Sequence, residues 1–118
     1  MRNKNLEFIL ALIKKTNNKE IIWQIVNHQI SLPYEEKITS KIYKTTIQGK
    51  HFRLFEYQYK HYTDEDEWLW VQRKKIELID NENEKLYEFN YEYSINDLFD
   101  AVTRQTSGIE DFLNDFLE

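Results

Sequence analysis

Between residues 38 and 93 the chain alternates β-branched or aromatic side chains with polar ones, and three short polar clusters interrupt it. No other feature constrains the fold as tightly. A period of two places every second side chain on the same face of a strand. Clusters of three to five residues leave no length for a crossover, so neighbouring strands must run antiparallel. Ile38–Ile47 is read as a strand closed by Gln48-Gly49-Lys50, with Gly49 supplying a positive φ. His51–Tyr62 follows, with Phe55, Tyr57 and Tyr59 on one face and Phe52 and Leu54 on the other. Thr63-Asp64-Glu65-Asp66-Glu67 turns the chain into Trp68–Ile79, where Trp68, Trp70, Ile76 and Leu78 share a parity. Asp80-Asn81-Glu82-Asn83-Glu84 turns it again into Lys85–Tyr93, with Tyr87, Phe89, Tyr91 and Tyr93 on one face. The product is a meander.

Both flanks change period. Leu6, Ile9, Leu10 and Ile13 form a helical stripe widened by Phe8 and Leu12, with Asn3 or Asn5 as N-cap and Asn17-Asn18 as its end. Residues 20–30 fit strand or helix, and the β-branched enrichment favours strand. Pro33 makes residues 31–36 a loop. Ser94 with Asp97 reads as a capping box opening the stripe Ile95, Leu98, Phe99 and Val102. Ser107 with Glu110 opens a second stripe of Ile109, Phe112, Leu113, Phe116 and Leu117, and Gly108 favours two helices over one kinked helix. The expected fold is α+β: an antiparallel four- to five-stranded β-meander with an N-terminal helix and a C-terminal helical pair packed on one face. Residues 1–118 are expected to form a single domain. Its predicted core sets Ile9, Leu10, Ile13, Leu98, Phe99, Val102, Phe112, Leu113 and Phe116 against Leu54, Trp70, Ile76 and Leu78.

Composition excludes several chemistries. Leu, Ile, Val and Phe make up 34 of 118 residues, enough to support a folded core. With two Gly and no Cys, the chain holds no phosphate-binding glycine loop, nucleophile elbow, zinc-cysteine site or disulfide frame. The longest apolar run, Phe8–Ile13, has six residues, far from the roughly 20 that span a bilayer. The first residues read as an amphipathic helix rather than a signal segment, so a cytoplasmic location is expected, with no membrane contact. The abundance of Ile, Lys and Asn suits AT-rich coding in a low-GC bacterium or its mobile elements. His51 and His61, ten residues apart on one strand, stand roughly 33 Å from each other and share no metal or substrate. The acidic turns lack the glycine of a calcium loop, and their charges oppose edge-to-edge strand pairing. Neither catalysis nor a cofactor is expected.

Charge and aromatic content carry the functional expectation. The formal charge of −5 resolves into +1 over residues 1–36, +4 over 37–75 and −10 over 76–118. Eighteen aromatic residues, with most of the tyrosines in the strands, exceed what one sheet face buries. A non-enzymatic protein-binding module is therefore predicted, of the inhibitor or immunity type, meeting a basic surface on another protein. Its candidate interface is Tyr57, Tyr59, Trp68, Arg73, Tyr91, Asp97, Asp100, Asp111 and Asp115. The alternative is single-stranded nucleic-acid binding through residues 38–75, where Lys41, Lys44, Lys50, Arg53, Lys60, Arg73, Lys74 and Lys75 interleave with aromatics. Against it, Lys50–Tyr57 lacks the glycine of the RNA-recognition consensus, and the acidic last third repels phosphate. Self-association of the basic region with the acidic one is a third expectation.

Overall fold

The turns fall where the polar clusters predict them, but the strands between them are very unequal, and that inequality shapes the molecule. The computed structural model describes residues 3–118; Met1 and Arg2, ahead of the expected N-terminal helix, lie outside the described residues. The elements are α1 (Lys4–Asn17), β1 (Gln24–Val26), β2 (Lys37–Ile38), β3 (Ile42–Ile47), β4 (Lys50–Asp64), β5 (Glu67–Ile79), β6 (Lys85–Glu88), α2 (Ser94–Ser107) and α3 (Ile109–Leu117). All strand pairs are antiparallel, in the order β1-β3-β4-β5-β6, with β2 against β4 beyond the end of β3. The class is the expected α+β. The sheet has six strands because Ile38–Ile47 divides near Ser40 into β2 and β3, and residues 24–26 add an edge strand, as their β-branched content predicts.

Local chemistry explains the joints. Asn3 caps α1 by accepting a hydrogen bond from the Leu6 amide at 3.1 Å. Gln48 (φ 51°) and Gly49 (φ 79°) both adopt left-handed geometry between the paired Ile47 and Lys50. Positive φ at both central residues matches the right-handed twist of the flanking strands, so the turn recruits Gln48 as well as Gly49. The capping box expected at Ser94 does not form: the N-cap is Tyr93, and the Ser94 hydroxyl is buried with no hydrogen-bond partner. Instead, Asn96 donates its side-chain amide to the Tyr93 carbonyl at 3.0 Å.

α1 and α2 cover one face of the sheet. Ile9, Leu12, Trp23, Tyr43, Leu54, Ile76, Ile95, Leu98 and Val102 form the core, with Phe8, Ile13, Phe89 and Phe99 packed against it. The α1 stripe is rotated from the predicted one. Leu10 is half exposed, and Thr16 is buried in its stead. A buried hydroxyl needs a partner, and the Trp23 indole supplies it, donating to Thr16 Oγ1 at 3.0 Å. Gln105 closes the same joint: it accepts from the Trp23 amide and donates to the Thr16 and Ile21 carbonyls.

Four further predicted core positions are corrected. Trp70 shares the parity of Ile76 but lies beyond the helices, where β4 and β5 continue as a two-stranded arm. Phe112, Leu113 and Phe116 are exposed, because Gly108 (φ 73°) turns α3 out at the end of α2 and no residue of α3 is buried. β6 also stops short of the predicted Tyr93. Phe89 donates a last amide bond to the Ile76 carbonyl, and Tyr91 and Tyr93 follow outside the strand.

Candidate interaction surfaces

The sheet face away from the helices is partly roofed by residues 27–36. Ser31, Leu32 and Pro33 line a cavity of about 290 Å³ over Arg53, Tyr57, Lys75 and Glu77. Within this layer charges are matched. Arg53 donates from Nε to Glu77 Oε1 at 2.6 Å, both side chains almost wholly buried, and from its terminal nitrogen to the Asn83 carbonyl at 2.9 Å. Lys75 lies 3.6 Å from Glu36 and 3.5 Å from Glu88. His28 contacts Arg53 at 3.3 Å; burial, then the Arg53 and Lys44 charges, hold its imidazole below the usual histidine range. Burial, together with the Glu36 and Glu88 carboxylates, pushes the Tyr57 phenol up to about 12.

Where this roof ends, an aromatic–guanidinium ladder begins. Tyr57 stacks on Tyr59 with ring centroids 6.1 Å apart. The Arg73 guanidinium lies 5.6 Å from the Tyr59 ring and 4.5 Å from the Tyr91 ring. Four of the nine predicted interface residues thus meet in one place: Tyr57, Tyr59 and Arg73 from β4 and β5, and Tyr91 from the segment after β6. Arg73 has no carboxylate partner among the described ion pairs.

Trp68 does not join them. Its parity sends it to the opposite face of the arm, where it meets Trp70 edge-to-face at 5.2 Å. Lys60 lies 4.4 Å from the Trp68 ring and Lys37 lies 5.1 Å from the Trp70 ring. Glu35 accepts hydrogen bonds from Tyr62 (2.8 Å) and Lys60 (3.3 Å), and the Tyr62 bond in particular lowers its carboxyl below the ordinary range. Trp70, Lys37 and Tyr62 are not among the predicted interface residues. A signal was there: Trp68-Leu69-Trp70 puts large apolar groups on both faces of a strand, and only one face of this sheet has helices over it.

The acidic candidates divide between two helices. Asp97 and Asp100 are exposed on α2, and Asp111 and Asp115 are exposed on α3. α3 presents more than acid: Phe112 is 59%, Phe116 75% and Leu117 78% exposed, and Phe112 stacks on Phe116 at 6.0 Å. Glu110, Asp111, Asp115 and Glu118 flank these residues, and the segment contains no basic side chain. Near the Gly108 joint, residues of α1, α2 and α3 line a cleft of about 380 Å³.

The three histidines stand apart. His51 bonds to Thr46 and Asn81, His28 to Arg53, and His61 is exposed on the arm. Among the described residues no three His, Asp or Glu side chains group as metal ligands would, and no helix is long and apolar enough to cross a membrane. Comparison with family models, curated proteins and solved structures finds no match.

Proposed function

We propose that the chain is a non-enzymatic protein-binding module that lays α3 into an apolar groove rimmed by Lys or Arg on another protein. One observation carries this reading. α3 is an amphipathic helix whose apolar stripe is exposed and whose charged residues are all acidic. Stacked phenylalanines beside leucines expose several hundred Å² of apolar surface on one short element, more than scattered surface hydrophobics do. Such helices dock through anchors spaced i, i+3, i+4 and i+7, the spacing of Ile109, Phe112, Leu113 and Phe116. The carboxylates select a basic rim and speed the encounter. Occupying a basic surface on a target is how an inhibitor or immunity-type protein would act, here in the cytoplasm of a low-GC bacterium.

The test is a saturable interaction with an identified host protein. Phe112→Ala and Phe116→Ala are expected to weaken it about a hundredfold or more together, as buried aromatic anchors do. Asp111→Lys with Asp115→Lys is expected to slow association chiefly. Failure to recover any saturable partner, or a partner indifferent to all four changes, overturns the reading.

The nucleic-acid alternative has the Tyr57–Tyr59 stack in its favour. It has less free charge than the sequence suggests, since Arg53, Lys60, Lys74 and Lys75 are held in ion pairs. Binding of a single-stranded oligonucleotide at low salt that is lost in Tyr59→Ala would reinstate it.

A further inference from the structure

β5 has two edges, and they are treated differently. Along one edge, β4 pairs with it from Glu67 to Ile79. Along the other, β6 reaches only Glu77 to Ile79, with one further bond from the Phe89 amide to the Ile76 carbonyl. From Glu67 to Arg73 the outer backbone groups of β5 have no strand partner among the described residues. An open edge is a template for another strand. Between Trp68 and Gln72 the usual guards are absent, since these five residues include no Pro and no charged side chain. The centre of the run is instead apolar on both faces, with Trp68 40%, Leu69 61% and Trp70 38% exposed.

We propose that two copies of the chain pair through this edge, β5 against β5 in antiparallel orientation, about a two-fold axis at Trp70. Charge selects both the partner and the direction. The run is polarised, with acid at Glu67 and base at Arg73, and neither side chain has an ion-pair partner among the described residues. Antiparallel pairing centred on Trp70 sets Glu67 of each copy opposite Arg73 of the other. It also sets Leu69 opposite Val71 and Trp70 opposite itself, all of them favourable cross-strand neighbours. Parallel pairing would set Glu67 on Glu67 and Arg73 on Arg73. The acidic turn at Asp64–Glu67 therefore blocks in-register stacking but suits this one arrangement. The Tyr59 and Tyr91 rings hold the Arg73 guanidinium over the same face, which limits the side-chain freedom lost on pairing. The strand is self-complementary, and a self-complementary patch is what a closed two-fold dimer requires.

This interface uses no residue of α3, so its failure leaves the docking reading untouched. Sedimentation equilibrium across the micromolar range is expected to show a mass rising towards twice 14.6 kDa. Amides of residues 67–73 are expected to gain hydrogen-exchange protection as concentration rises. Glu67→Arg and Arg73→Glu are each expected to weaken the dimer about tenfold, by setting like charges opposite each other at two symmetric points. The double variant Glu67→Arg/Arg73→Glu is expected to return to within about threefold of the original. Both positions are exposed, and an unchanged thermal melt confirms that the fold is intact. A monomer mass at every concentration overturns the proposal, including the case in which only a foreign extended peptide protects the edge. So does a dimer that the single variants leave unchanged, or a double variant that fails to recover.

Discussion

At the scale of single residues, the buried layer under residues 27–36 is the most sensitive region. Glu77 neutralises Arg53 where both side chains are almost wholly buried. Removing one member of such a pair leaves an uncompensated buried charge, so Glu77→Ala is expected to lower the unfolding free energy by about 3–5 kcal/mol in urea melts. A loss below about 1 kcal/mol, the range of an exposed pair, would show that water enters the layer. Tyr57 gives the same layer a pH signature. Its phenol ionises near 10 when unfolded and near 12 when folded. Between those values the unfolded chain loses its proton first. The Tyr57 contribution is thus full below about pH 10 and declines as pH rises towards 12. A difference ultraviolet titration of the protein against Tyr57→Phe reads this directly, and a phenol titrating near 10 would contradict it. The sequence offers Asn3 or Asn5 as a cap because the amide such a residue reaches is only three positions away, and Asn3 takes the role on Leu6. It could not show the burial of Thr16, since Gln105 and Trp23, which make that burial tolerable, lie far along the chain or in a segment of ambiguous period.

At the scale of elements, α3 separates amphipathicity from burial. The stripe Ile109, Phe112, Leu113, Phe116 and Leu117 was legible, and so was the break at Gly108. Whether the stripe meets the core is decided by where the left-handed turn aims the helix, and no local pattern encodes that direction. Trp70 teaches the same lesson on a strand: parity assigns its face, but the reach of the covering helices assigns its depth. A consequence follows for stability. Phe116→Ser and Leu117→Ser are each expected to change the unfolding free energy by less than about 0.5 kcal/mol, as exposed positions do. Losses of about 3 kcal/mol or more, the size seen for large side chains removed from a core, would mean that α3 packs on the body in solution.

At the scale of the whole molecule, the arm governs shape. The chain extends 56 × 34 × 34 Å with a radius of gyration of 16.0 Å, against about 13–14 Å for a compact chain of this length. The excess follows from strands of 15 and 13 residues sharing a sheet with strands of two to six. Gln58 and Gln72 are paired at the root of the arm. Replacing Tyr59–Val71 with Asn-Gly, the residues a two-residue hairpin prefers, is therefore expected to leave a cooperative fold. The radius of gyration in X-ray scattering should fall to about 14 Å. Loss of cooperative unfolding would show instead that the arm belongs to the core.

The glycine joint at Gly108 also bears on how such a protein can change. A nine-residue helix is too short to hold its own shape in water, where about 12–15 residues are marginal, so α3 depends on α2 for its first turn. Cut free as a peptide, it would be mostly coil. Attached, it is a head whose surface can be rewritten residue by residue while the helix-and-sheet body behind it stays the same. Target choice and foldability are thereby placed on different residues, and either can drift without dragging the other.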